Sequence, residues 1–179
     1  IIDKAISFDG VNDYGNIPTS PLSTVGTDED FTIVMWVKSA SFGGGGSGAP
    51  ALMGTYDASS GSGAHWQIYG HPSSGTIRFS DGSTTVTWAI TDEEDDSWNM
   101  LVFNRSGSSV KYWFNNSDKG ALTAGFDLPS PSTYLRIAQR GDGNQFATAL
   151  FDEQSFWTRS LTEAEMTSLY NSGSADAIY

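Results

Sequence analysis

The chain contains no cysteine, which excludes a disulfide framework and any thiolate metal site. Basic residues are scarce: 9 Lys and Arg stand against 21 Asp and Glu, for a net charge of −12. Binding nucleic acid through its phosphates requires clustered Lys and Arg, so no nucleic-acid partner is expected. No stretch approaches the roughly 20 apolar residues of a membrane-spanning helix, and no membrane insertion is expected. Histidine is limited to His65 and His71, with no G-x-S-x-G elbow, which leaves little for nucleophile–base catalysis. The acidic excess suits a secreted or surface-exposed protein, or one that meets divalent cations. The chain starts at Ile rather than Met, as expected of a processed product or a module of something longer.

What the sequence has in quantity is aromatic residues, 13% of 179, and turn-forming glycine, 20 residues. Each aromatic buries a large area in one rigid unit, and a chain of this length suits one domain, 1–179, with a sizeable core. Phe31 to Lys38 is β-forming and almost entirely apolar, as in a central strand. Further strand patterns cover Ala51–Tyr56, His65–Tyr69, Trp98–Asn104, Val110–Phe114 and Tyr134–Ala138, while Thr76–Phe79 and Thr85–Ile90 flank a turn at Ser80–Ser83 as a hairpin. The tract Gly43–Gly48 reads as a mobile loop, and the acidic run Asp92–Asp96 as a solvated one, since Ser97 stands where an EF-hand loop needs Gly. The two ends of the chain, Ala5–Tyr14 and Ala149–Trp157, alternate apolar and polar residues as half-buried strands. One helix is expected over Leu161–Tyr170, with Thr162 as N-cap and Glu165 at capping-box spacing. The predicted fold is all-β, a two-sheet antiparallel sandwich with one short C-terminal helix.

The order of landmarks resembles a known family. "FDGVNDY" opens the chain, "FTIVMWVK" and "SWNMLVFNRSGSSVKYWFNN" follow, and "FDEQSFWTRSLTEAEMTSLYN" closes it. This is similar to the laminin-G-like, concanavalin A-like jelly rolls, particularly their bacterial and viral branch. Two departures stand out: Asn99 occupies the place where His is usual after the central Trp, and Asn115-Asn116 replaces an Asn-Gly turn. The resemblance implies a non-catalytic recognition or adhesion module, often glycan-binding and often carrying Ca²⁺.

Calcium takes six to eight hard oxygen ligands from several loops. If the terminal strands are neighbours, Asp9, Asn12, Asp13 and Asp152 are expected to converge, with Asp142 and Asn144 as an alternative donor loop. The competing reading has Asp9 and Asp13 shaping turns around Gly10 and Asp152 bonding backbone amides. Glycosidase chemistry is not expected. Related glucanases carry an E-x-D-x-x-E strand that is absent here, and the adjacent Asp152 and Glu153 point to opposite faces of a strand.

For glycan binding, aromatic faces beside glycine-rich loops are the candidates: Tyr56, His65, Trp66, Tyr69 and Trp113, with the loops 42–50 and 57–65 around them. Trp36 and Trp98 read as core. The expectation is therefore a lectin-like module that binds a glycan or a surface protein, extracellular, at a cell surface or on a virion. The alternative is a structural or decoration module of a virion or bacterial surface assembly, with a broad apolar contact surface in place of a sugar site.

Overall fold

The computed structural model describes residues 5–18, 21, 25, 29–40, 51–57, 63–71, 75–81, 84–90, 96–123, 134–140 and 145–171. In chain order the strands are β1 (Ile6–Asp9), β2 (Gly15–Ile17), β3 (Phe31–Lys38), β4 (Ala51–Asp57), β5 (Gly63–His71), β6 (Thr76–Ser80), β7 (Thr85–Ala89), β8 (Trp98–Ser106), β9 (Ser109–Phe114), β10 (Ser117–Thr123), β11 (Tyr134–Ile137) and β12 (Thr148–Trp157), followed by α1 (Glu163–Tyr170). They form two six-stranded sheets: sheet A, in the order β1-β12-β3-β8-β9-β10, and sheet B, in the order β2-β11-β4-β5-β6-β7.

The chain ends meet as their alternation predicts. β1 pairs antiparallel with β12, Ile6 opposite Phe151 and Asp9 opposite Thr148, and Phe8 packs edge-on against Phe151 with ring centroids 5.5 Å apart. The opening segment is not one strand, however. β1 stops at Asp9, Gly10 takes φ +78°, and the chain crosses to the other sheet as β2. A strand was also missed: β10 is polar and mostly exposed, an edge strand whose composition carries no burial signal. It ties into sheet B through Trp88, whose indole donates to Gly120 O at 3.1 Å.

Two apolar layers result. Between the sheets lie residues such as Phe31, Ile33, Met35, Val37, Trp66, Phe79, Phe103, Tyr112 and Phe151. The other face of sheet A is covered by α1, with Val34, Trp36, Met100, Val102 and Trp113 beneath Leu161 and Met166. This is why β3 reads as a continuous apolar run: both of its faces are buried. The capping box forms as expected at Thr162 and Glu165, and Trp36 stacks on Tyr170 at 5.9 Å. The turn after β9 is made by Asn115 and Asn116, both at positive φ, 46° and 64°, as a type I′ turn demands. Asn115 Nδ2 donates to Asn99 Oδ1 at 2.6 Å, so the two departures from the usual pattern contact one another.

Candidate functional site

Strand alternation decides what sheet B shows to the outside. On β5, Trp66 and Ile68 enter the core, so Gln67 and Tyr69 take the outer face. On β6, Ile77 and Phe79 are inside and Arg78 outside; on β11, Leu135 and Ile137 are inside and Arg136 outside. Register then places these outward residues in rows. One row runs Asn16, Arg136, Gly54, Gln67, Ser80 and Thr85 across all six strands. The next contains Tyr69, Arg78 and Thr87.

Gly54 sits between Arg136 and Gln67, and a Cβ there would lie 2.8 Å from Trp66 O and 2.9 Å from Gln67 Cβ. The position is therefore limited to glycine and leaves a dip in the middle of the face. Gln67 is only 8% exposed, and its Oε1 has no hydrogen-bond partner among the described residues. Arg136 lies with its guanidinium carbon 4.3 Å from the Tyr14 ring centroid, and its Nη1 donates to Gln139 Oε1. Tyr14 itself is 44% exposed. The face thus offers guanidinium donors, an amide with unused acceptor capacity, hydroxyls and partly open tyrosine rings, the groups that bind polyhydroxylated ligands.

The aromatic set expected from sequence is not assembled in one place. Trp66 is a correction: it is 2% exposed, packed against Phe79 at 5.9 Å between the sheets. Its strand partner Tyr69, not Trp66, reaches the outer face. Trp113 is also corrected, being 3% exposed beneath α1 on the opposite side of the sandwich. Tyr56 and His65 lie on β4 and β5, but their side chains fall outside the described residues. The loops 42–50 and 58–62 fall outside as well. Gln67, Arg78 and Arg136 were missed, although the alternation of Trp66 and Ile68 already carried the signal that Gln67 and Tyr69 share the other face.

The expected calcium ligands do not gather either. Asp9 opposes Thr148, which is four residues from Asp152 along β12, about 13 Å at the rise of a strand. Asp9 Oδ1 instead accepts from Val11 N at 2.8 Å, an Asx turn, while Asn12 and Asp13 are exposed beside it. Asp152 stands at a bulge where Glu153 takes φ 45°, and its Oδ1 accepts from Glu153 N at 2.9 Å. Its Oδ2 is buried without a partner among the described residues. Asp142 and Asn144 lie outside them, and no cluster of three or more metal-ligating His, Asp or Glu side chains occurs among them.

A second concavity opens at the sandwich edge where β1 faces β2 and β11. It encloses about 290 Å³ and is lined by Ile6, Phe8, Tyr14, Ile137 and Phe151, with Asp152 to Gln154 at one end. The exposed large apolar residues Ile6, Val11 and Tyr14 gather around this edge.

Comparison with known proteins gives the class that this architecture defines. The family model described as the concanavalin A-like lectin/glucanases superfamily matches residues 9–167. The chain belongs to that family, a laminin-G-like member with the jelly-roll fold. No curated protein matches it in sequence. Among solved structures it is similar to the carbohydrate-binding module of the Ruminococcus gnavus IT-sialidase bound to α2,3-sialyllactose, with a TM-score of 0.71 at 14% identity, over 94% of this chain and 97% of that one. It is similar to the SAP-like pentraxin of Limulus polyphemus, TM-score 0.67 at 15% identity, over 93% and 81% of the two chains. The binding domain of botulinum neurotoxin DC, in complex with rat synaptotagmin II, aligns with a TM-score of 0.66 at 9% identity, over 89% of this chain and 40% of that one. At these identities the likeness is one of fold, the fold of carbohydrate-binding modules and lectins.

Proposed function

We propose that the protein is a non-catalytic, lectin-like module that binds a glycan on the outer face of sheet B. The observation that carries this reading is the in-register row of Arg136, Gly54, Gln67 and Ser80 beside Tyr69 and Arg78. A carbohydrate needs many polar partners in fixed positions and an aromatic face for its CH groups. A sheet face supplies both on rigid backbone. The reading places the protein outside the cell, at a cell surface or on a virion, as part of a larger chain or assembly.

The test is a glycan array followed by titration calorimetry on the best ligand, with Gln67→Ala and Tyr69→Ala as variants. Both are expected to weaken binding about tenfold without changing the unfolding midpoint by more than a few degrees. Undiminished binding by both variants removes the ligand from this face.

Calcium enters the proposal at one place only. Asp152, whose buried Oδ2 has no partner among the described residues, is a carboxylate with ligand capacity to spare. An ion held there raises the unfolding temperature in millimolar Ca²⁺ relative to EDTA; coincident curves exclude it.

A second reading has its own observation. Ile6, Val11 and Tyr14, 60%, 69% and 44% exposed around the β1 edge, form the apolar surface that a structural or decoration module needs for protein docking. Loss of assembly on Ile6→Lys, with glycan binding unchanged, would establish that role beside the first.

A further inference from the structure

The helix leaves part of the outer face of sheet A open. Asn104 fixes the segment entering α1 over β8, and β9 and β10 continue beyond it to the sheet edge. On β8 and β9, Phe103, Val110 and Tyr112 enter the core, so Asn104, Ser106, Ser109, Lys111 and Trp113 take the outer face. Register sets Ser106 opposite Ser109, and Lys111 between Asn104 and Ala121 of β10. The side chains of Ser106, Ser109 and Ala121 are short, so the floor lies low beside the helix. The result is a cleft of about 220 Å³, walled on the helix side by Ser160, Leu161, Glu163 and Met166.

A buried donor in this lining has no acceptor. Trp113 is 3% exposed, yet its indole Nε1 has no hydrogen-bond partner among the described residues. A buried indole N–H ordinarily finds an acceptor, and leaving one without costs about 1–3 kcal/mol. The other polar groups around it are of both kinds. Lys111 Nζ lies 5.6 Å from the Trp113 ring centroid and is paired with Asp118 Oδ2 at 2.9 Å, which balances its charge and leaves N–H bonds to give. Ser106 and Ser109 bring hydroxyls, and Glu163 brings an acceptor.

We propose that the cleft between α1 and β8–β10 is a second binding site, for one neutral sugar residue with an oxygen that accepts from Trp113 Nε1. It lies on the opposite side of the sandwich from the outer face of sheet B and does not depend on the reading of that face. Size limits the ligand to one ring. At about 30 Å³ per water the cleft holds about seven waters, less than the roughly 300–1,000 Å³ of pockets for larger ligands. Charge selects a neutral ligand. An anion meets Glu163 and Asp118, a cation meets Lys111, and a polyol uses donors and acceptors alike. The CH face of a sugar ring also suits Leu161 and Met166 on the helix wall. Trp113 serves here as a donor and not as a stacking platform, since its ring is covered by Lys111 and α1.

The experiment is an NMR titration of the nitrogen-labelled protein with the methyl glycosides of glucose, galactose, mannose and N-acetylglucosamine. It reads the indole N–H resonances of the six tryptophans, with that of Trp113 assigned by its loss in Trp113→Phe. The expected result is a saturable shift of the Trp113 resonance by one of the glycosides. Ligand-observed NMR is then expected to show affinity falling about tenfold in Trp113→Phe, which keeps an aromatic ring and removes the donor. Ala121→Leu and Ser106→Leu, which fill the cleft from two different strands, lower it at least as much, and Tyr69→Ala leaves it unchanged. The amide spectrum of each variant reports its fold, so a filling variant that misfolds is replaced by the other. A Trp113 resonance that no glycoside moves overturns the site, as does affinity undiminished in the folded filling variants. An equal shift by glycerol overturns the sugar ring as ligand. Binding lost in Tyr69→Ala but kept in the filling variants places the sugar on sheet B and removes only the second site.

Discussion

Asn104 and Leu161 hold one another by two reciprocal hydrogen bonds: Asn104 Nδ2 donates to Leu161 O at 2.8 Å, and Leu161 N donates to Asn104 Oδ1 at 3.2 Å. The side-chain amide acts as a peptide unit would, pairing with the segment that leads into α1. Thr32 Oγ1, at 2.9 Å, and Ser160 Oγ, at 2.9 Å, donate to the same Asn104 oxygen. The helix is thereby fixed to sheet A by a buried polar group as well as by Leu161 and Met166.

Asn104→Ala is expected to cost about 1–3 kcal/mol, because it removes the donor to Leu161 O while Leu161 N keeps Thr32 Oγ1 at 3.0 Å. Urea unfolding gives the loss, and tryptophan fluorescence reports whether the Trp36–Tyr170 stack opens. A loss below about 0.5 kcal/mol would show that the helix holds without the clamp.

Trp66 and Tyr69 are expected to separate cleanly. Trp66→Ala opens a core cavity and costs about 3–5 kcal/mol, whereas Tyr69→Ala acts on ligand binding with little change in stability. Paired denaturation and binding curves check both; the reverse pattern would invert the two faces of β5.

Glu165 accepts both terminal nitrogens of Arg159, at 3.0 and 2.7 Å, and Thr162 N at 2.8 Å. Arg159 first, and Thr162 second, lower its pKa from 4.5 to about 2. A depressed folded-state pKa means that the stabilisation is complete above about 4.5 and is lost as pH falls through about 2. The site is exposed, so the effect is small and screened by salt. In Glu165→Gln the stability curve is expected to be flatter over that acid window than in the parent, measured by thermal unfolding at a series of pH values. An identical slope would show that the pair contributes nothing.

Gly10, at φ +78°, has no room for a Cβ, which would run into Thr148 Oγ1. That hydroxyl donates to Asp9 O at 3.2 Å. Gly10→Ala is expected to cost about 2 kcal/mol or more from left-handed strain and the collision together. Differential scanning calorimetry measures it, and an unchanged midpoint would mean that the β1–β2 crossing is not fixed at this residue.

Much of the fold was written locally. The alternation of Ala5–Tyr14 and Ala149–Trp157 announced two half-buried strands, although the first ends at Asp9, and Thr162 with Glu165 announced the helix start. β10 escaped because Ser117 to Thr123 is mostly polar, with Leu122 alone packed against the core, and an exposed edge strand is defined by its partner rather than by its own pattern. The site escaped for a related reason. Arg136, Gly54 and Gln67 come from β11, β4 and β5, and only register makes them neighbours.

The sequence by itself determined most of the elements, the family and the acidic, cysteine-free character of the chain, because period and composition are properties of single segments. Tertiary structure decided which carboxylates stay apart, which aromatics face outward and which polar residues share a row on sheet B. A one-residue change of phase exchanges Trp66 for Gln67 at the surface, and the pairing of β1 with β12 keeps Asp9 from Asp152. Those facts reside in the pairing between strands, not in any strand alone.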